Sequence, residues 1–142
     1  MAAFLKYDQF AVDLAAGVHI LTTAGSQLKI ALSNTTPVVA TDATLAGITT
    51  ISYANITETM PADTLNVCSE TPAGTWDVVG TDIVLNATGA VATFRYVILY
   101  NDTPTSPADP LIGYWDYGAG GVTLASGESF TVNFGTQMFT IT

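Results

Sequence analysis

The chain has 142 residues, a formal net charge of −9 at pH 7, and only three Lys and Arg residues in total. Nucleic acids and anionic membrane surfaces both attract clusters of basic side chains, so this composition argues against either as a partner. Only 11% of the residues are charged, against about 25% in an average soluble domain, so uncharged polar side chains must solvate much of the surface.

A chain of this length is expected to fold as one domain over residues 1–142. Its first residues interrupt the apolar ones with Lys6, Asp8 and Asp13, unlike the core of a signal peptide. No apolar run approaches the roughly 20 residues of a membrane span. We therefore expect a protein made in the cytoplasm that stays there or leaves within a larger assembly. Cys68 is the only cysteine, which excludes an intramolecular disulfide and predicts a small buried side chain.

The first predicted element is a short amphipathic helix. Tyr7, Phe10 and Leu14 recur at helical spacing, Asp8 is placed to cap the start, and Gly17 is placed to end the helix in a left-handed conformation. A helix this short is unstable alone in water. Its apolar face is therefore expected to rest on the β core or on a neighbouring subunit.

The rest of the chain alternates short β-branched or aromatic runs with turn residues, the pattern of many short strands. One helical turn or tight loop is predicted at 41–47, a turn at Ala24-Gly25-Ser26, and a hairpin between 75–79 and 82–87 across Gly80-Thr81. Strand spacings of roughly ten residues favour an all-β sandwich, jelly roll or barrel with one short N-terminal helix. The predicted strands are 18–21, 28–32, 48–56, 64–69, 75–79, 82–87, 91–100, 111–117, 122–124, 128–134 and 138–141.

The stretch 91–118 holds much of the aromatic content and the only arginine. Apolar and aromatic residues alternate through 91–100, and 111–117 repeats that signature. Three prolines between them cannot continue a ladder, so the two runs predict a hairpin closed by a loop. The alternation predicts one face with Phe94, Tyr96, Ile98 and Tyr100, and an opposite face with Arg95, Val97 and Leu99.

Candidate catalytic and metal-binding residues are few. His19 is the only histidine, and its predicted strand position points outward to solvent. Asp102, Asp109 and Asp116 surround the proline-rich loop and supply the oxygen ligands that calcium takes, although their spacing matches no EF-hand. Asp116 and Glu128 are candidates for a glycosidase acid pair. None of these patterns is complete, so we expect no enzyme, no metal and no cofactor.

Aromatic residues in 111–117 allow two interpretations. Alternation places Tyr114 and Asp116 on one face and Trp115 and Tyr117 on the other, so at least one aromatic face is a candidate for exposure. These rings either pack in the core or form a protein interface or sugar platform. The candidate partner-binding residues are Trp115, Tyr117, Tyr114 and Arg95.

Several segments in order along the chain resemble a family of small virion proteins of tailed bacteriophages, the capsid cement (decoration) proteins of the Bordetella phage type. The most specific are FRYVILYNDT and PLIGYWDYG, and the others are YDQFAVDLAAGVH, LKIALSNTTP, TDATLAGITTI and LASGESFTVNF. The resemblance implies a jelly roll that binds as dimers over the capsid shell and has no catalytic residues. The longer loop from Thr103 to Pro110 departs from the family pattern.

The resemblance leads to the expectation of a virion structural protein on the outer surface of the capsid, assembled in the host cytoplasm. Its expected partners are the major capsid protein and a second copy of itself, with neither nucleic acid nor membrane. The alternative is a tail or fibre module that binds host glycans through Tyr114, Trp115 and the acidic loop. A carbohydrate hydrolase using Asp116 or Glu128 is a third hypothesis.

Overall fold

The computed structural model describes residues 2–25 and 27–142. Within them the chain is an all-β sandwich with one short α-helix, α1 (Asp8–Ala15), and a 3-10 turn at Leu45–Gly47. The strands are β1 (Phe4–Lys6), β2 (Leu28–Ser33), β3 (Ala62–Asp63), β4 (Val67–Thr71), β5 (Thr75–Val79), β6 (Ile83–Asn86), β7 (Val91–Phe94), β8 (Tyr96–Asn101), β9 (Leu111–Asp116), β10 (Val122–Leu124), β11 (Ser129–Val132) and β12 (Phe139–Ile141).

The largest sheet has five antiparallel strands in the order β1-β9-β8-β2-β3. Three smaller sheets, β12-β5-β4, β11-β6 and β10-β7, supply the other apolar surface of the main core. Side chains from β2, β8 and β9 meet side chains from all three smaller sheets in one buried cluster. This arrangement is a sandwich, and the jelly-roll strand order stays a prediction.

The five-stranded sheet is covered on its second face as well. There the segment between β2 and β3 places Val39, Leu45 and Ile48 over a second buried cluster. As a result every residue of β8 is buried, so this strand is a continuous apolar run. The second cluster consists of Tyr7, Ala31, Tyr96, Ile98, Tyr100, Leu111 and Tyr114.

The predicted hairpin is confirmed, with β8 and β9 paired from Tyr96↔Asp116 to Tyr100↔Leu111. The predicted long strand over 91–100 is wrong in one respect, because it is broken at Arg95 into β7 and β8. β7 pairs with β10, whereas β8 pairs with β2 and β9. The break shifts the alternation by one residue, so Phe94 lies in the main core and not with Tyr96.

The predicted helix and its end are confirmed, since α1 stops at Ala15 and Gly17 has φ +76°. Asp8 is not the cap: Tyr7 occupies that position, without a side-chain capping hydrogen bond. The helix rests on the β core through Phe10, whose ring meets Phe139 edge-on at 5.7 Å. No helix in residues 2–25 or 27–142 has the length and apolar character needed to cross a membrane.

Three predicted strand features are wrong. Residues 18–21 form no strand, and 48–56 make only isolated bridges, such as Ile56↔Ala87. β5 and β6 do not pair with each other, because β5 lies between β4 and β12 while β6 pairs with β11. Gly80, between these two strands, packs against Met138: a Cβ there would lie 2.8 Å from the Met138 sulfur.

Three smaller predictions concern the helical turn within 41–47, the burial of Cys68 and the turn at 24–26. The helical turn within 41–47 is confirmed at Leu45–Gly47, and Cys68 is buried as expected. Burial raises the pKa of the Cys68 thiol, which keeps it in the less reactive protonated form. In the turn predicted at Ala24-Gly25-Ser26, Ser26 lies outside the described residues.

Candidate protein-binding surface

The structure places Trp115 and Tyr114 inside the fold. Trp115 is 3% exposed and its ring lies 5.1 Å from Phe4 and 5.3 Å from Phe134. Tyr114 is 8% exposed and packs in the second cluster. Of the two interpretations of these rings, core packing is the one that the structure shows, because both faces of the five-stranded sheet are covered.

Tyr117 and Arg95 are more accessible than these two rings. Tyr117 is half-buried and packs edge-on against Phe130, with ring centres 5.1 Å apart. Arg95 donates to both carboxylate oxygens of Asp116, over 2.7 Å from Nε and 2.6 Å from Nη2. This two-point hydrogen bond lowers the pKa of Asp116 and fixes the chain at the break between β7 and β8. Partner binding by Tyr117 and Arg95 stays a prediction.

The three aspartates around the proline-rich loop do not converge on one point. Asp116 pairs with Arg95, and Asp102 pairs with Lys29 at 2.7 Å. Asp109 lies against Asp102, and burial together with that neighbouring charge raises the pKa of Asp109. In the part of the chain that the structure describes, no group of three His, Cys, Asp or Glu residues is arranged to hold a metal ion.

His19 does not face solvent, so the prediction of a surface histidine is wrong. His19 is 4% exposed and lies in the irregular segment 18–21, which follows α1. The Phe10 ring meets the imidazole edge-on at 5.2 Å. Asp13, one helical turn beyond Phe10, is buried as well. That i, i+3 spacing put a carboxylate on the apolar face of α1 and was the available sequence signal for a buried polar cluster.

The buried cluster joins α1 to the five-stranded sheet. Asn101 Nδ2 lies 3.3 Å from His19 Nδ1, and Gln9 Nε2 donates to Asp13 Oδ1 over 2.8 Å. An amide nitrogen can only donate, so the neutral imidazole accepts at Nδ1 and has its hydrogen on Nε2. Burial lowers the pKa of His19, and the Asp13 carboxylate offsets part of that shift.

We expect the stability of the protein to fall as the pH drops below about 6.5. The folded-state pKa of His19 lies below its ordinary value of 6.5, so the unfolded chain takes up the proton first during acidification. The stabilisation is therefore complete above that ordinary value and is lost as the pH falls towards the folded-state pKa. Urea unfolding curves from about pH 8 to about pH 5.5 measure this change.

The matched variant is His19→Asn, which keeps an acceptor near the Nδ1 position but does not titrate. Its unfolding free energy should depend less on pH than that of the wild type in this window. An unchanged pH dependence in the variant would assign the effect to other groups.

A candidate protein-binding surface lies at the edge strand β4. Leu65 is 65% exposed and Val67 is 51% exposed, and both sit on the outward side of an alternating stretch. Leu65 has φ +48°, and its N–H donates to Asp63 Oδ1 over 2.8 Å. A left-handed conformation is unfavourable for a bulky residue and is typical of functional loops.

Polar groups lie beside Leu65. A cavity of about 260 Å³ opens beside Leu65 and is lined by Thr23, Gln27, Asn66 and Thr103, among others. We call Leu65, Val67 and this cavity the Leu65 surface. An apolar centre with a polar rim is the usual composition of a protein interface. Sequence reasoning missed Leu65, because nothing in the local pattern reveals its positive φ.

No family model, no curated protein and no solved structure matches the chain. The function of the Leu65 surface is therefore inferred from its own contacts and from the sequence.

Proposed function

We propose that the protein is a virion structural protein that binds the outside of a bacteriophage capsid and cements neighbouring subunits of the major capsid protein. The observation that supports this best is the Leu65 surface, where two apolar side chains are exposed to solvent, Val67 on the edge strand β4 and Leu65 just before it. The resemblance of FRYVILYNDT and PLIGYWDYG to cement proteins adds the capsid as partner. A jelly-roll strand order and a homodimer belong to the same proposal.

The packing of the sandwich suits a cement role. Both faces of the five-stranded sheet are filled, so little conformational entropy is lost when a partner binds. A protein that contacts several neighbouring subunits gains its full binding free energy only on the assembled shell. Binding to that state and not to free subunits stabilises the shell against dissociation.

The net charge of the protein also supports a position on the outside of the capsid. The net charge is −9, and two of the three basic residues, Lys29 and Arg95, are neutralised in ion pairs. Such a surface repels packaged DNA and favours basic patches on a protein partner.

The double variant Leu65→Glu/Val67→Glu should bind expanded capsids at least about tenfold more weakly than the wild type, because burial of a carboxylate in an apolar contact is unfavourable. Co-sedimentation with purified expanded capsids measures the affinity. The wild type should also raise the melting temperature of those capsids and should not bind free capsid subunits.

Val12→Glu/Val84→Glu is the matched control, since both valines are exposed and lie outside the Leu65 surface. It adds the same charge, so general electrostatic repulsion affects both variants alike. Equal loss in the two double variants would contradict a role for the Leu65 surface. Equal affinity of the wild type for capsids and free subunits would contradict cementing itself.

The alternative of a tail module that binds host glycans has less support. It needs an exposed aromatic platform, whereas Tyr114 and Trp115 are buried. Cryo-electron microscopy of the virion separates the two functions, because density on the tail would favour the alternative and density on the icosahedral shell would favour cementing.

A further inference from the structure

A second surface lies on the opposite side of the three-stranded sheet from β4, at strand β12. Two cavities of about 350 Å³ each share Lys6, Phe10 and Thr140, so they form one continuous groove. We call it the β12 groove. It runs between β12 on one side and β1 followed by α1 on the other.

The groove follows the edge of β12 and not one of its faces. Its two cavities are lined by five consecutive residues, 138–142. Side chains of successive strand residues point to opposite faces, so cavities that are each lined by three consecutive residues, 138–140 and 140–142, lie along the strand edge. β12 pairs with β5 on one side only and is the end strand of its sheet. Its other edge therefore offers backbone groups to an incoming strand.

The opposite wall is apolar except for one charge. Phe4, Phe10, Ala11 and Leu14 supply the apolar side chains, and Lys6 lies at the point where the two cavities meet. No acidic residue is among the side chains that line either cavity. Both salt bridges found in residues 2–25 and 27–142 use other bases, so Lys6 has no carboxylate within 4.0 Å there.

We propose that the β12 groove binds an extended, acidic segment of a partner protein, which adds to β12 as a further strand. Backbone hydrogen bonds to β12 supply affinity, as in other cases of strand addition. Alternate apolar side chains of the segment fill the groove beside Phe10 and Leu14. A carboxylate of the segment pairs with Lys6, and this charge decides which segments bind.

Charge complementarity favours this occupant over others. Lys6 is exposed at an otherwise apolar groove, and neither salt bridge found in residues 2–25 and 27–142 involves it. A basic segment would place like charges next to each other, which is unfavourable. The proposal does not depend on the identity of the partner or on capsid binding at the Leu65 surface.

The test is a selection from a random peptide display library on the immobilised full chain, with removal of peptides that bind the support alone. We expect the selected sequences to alternate apolar residues and to be enriched in Asp and Glu. A synthetic copy of one such peptide should bind Lys6→Glu at least about tenfold more weakly than the wild type. Lys6→Arg should keep the affinity within about twofold, because it retains the charge.

The matched control is Thr123→Glu/Thr131→Glu, which changes the net charge as Lys6→Glu does but at exposed positions outside the groove. It should bind the peptide nearly as well as the wild type. Amide hydrogen exchange locates the bound peptide, because strand addition should slow exchange within 138–142.

Four results would overturn the proposal: no selected peptide, enrichment in Lys and Arg or in helical apolar spacing, equal loss in the control variant, or protection elsewhere in the chain. Sedimentation of the unliganded protein could give a fifth contradicting result. A dimer that Lys6→Glu dissociates would assign the groove to a second copy of the chain.

Discussion

Replacing Trp115 with alanine is expected to lower the free energy of unfolding by about 3–5 kcal/mol, the usual cost of deleting a buried tryptophan. The indole is almost fully buried between the rings of Phe4 and Phe134. These rings belong to β1 and to the chain just after β11, so the cavity would loosen both layers of the sandwich. Urea or guanidinium unfolding curves at neutral pH measure the loss.

Trp115→Phe is the matched control, because it keeps an aromatic ring in the same place, leaves a smaller cavity and should cost less than Trp115→Ala. The pair of variants decides between a core and an interface role for this residue. If Trp115→Ala lost less than about 1 kcal/mol, the core role would be wrong, and partner binding would regain support.

Local patterns predicted the elements that local chemistry decides. The hairpin of β8 and β9 followed from two aromatic and β-branched runs separated by prolines. The helix followed from apolar spacing and Gly17. These features depend on neighbours within a few residues, which the sequence shows directly.

Long-range pairing was not predictable in the same way. β5 pairs with β4 and with β12, and β12 lies some sixty residues later in the chain, where no local pattern signals the pairing. At the break between β7 and β8, Arg95 is hydrogen-bonded at two points to Asp116, which lies 21 residues later in the chain. Alternation alone therefore assigned Phe94 to the wrong face.

The candidate sites show the same limit. The alternation in 111–117 allowed a binding surface on β9, but the segment between β2 and β3 covers Tyr114. Leu65 is ordinary in sequence, and only its positive φ and exposure mark it. The cavity beside Lys6 is completed by β12, which lies more than a hundred residues away in the chain. Surfaces built by distant segments require the fold before they can be located.

Gly113→Ala is expected to cost about 1–3 kcal/mol, because it forces an extra methyl group into a packed site. A Cβ at this position would lie 2.3 Å from Phe4 Cζ and 2.6 Å from the Leu5 carbonyl oxygen. The Phe4 ring can rotate away, but the Leu5 oxygen is backbone of β1, which pairs with β9 at Lys6↔Gly113. The methyl group must therefore push β1 away from the sheet.

Gly113→Ala should also change the local structure around β1. Displacement of β1 removes Phe4 from its contacts with Trp115 and Phe139, and it moves one wall of the β12 groove. Amides of Phe4–Lys6 should then exchange faster than those of β8, and peptide binding at the groove should weaken along with stability.

Gly47→Ala is the control for this variant, since Gly47 is exposed and a Cβ there would meet nothing within 4 Å. Its stability should stay within about 0.5 kcal/mol of the wild type. Equal behaviour of the two variants would mean that β1 yields to the methyl group without cost. A loss confined to Gly113→Ala, with faster exchange in β1, would show that close approach of β1 to β9 holds the N-terminal strand and the groove wall in place.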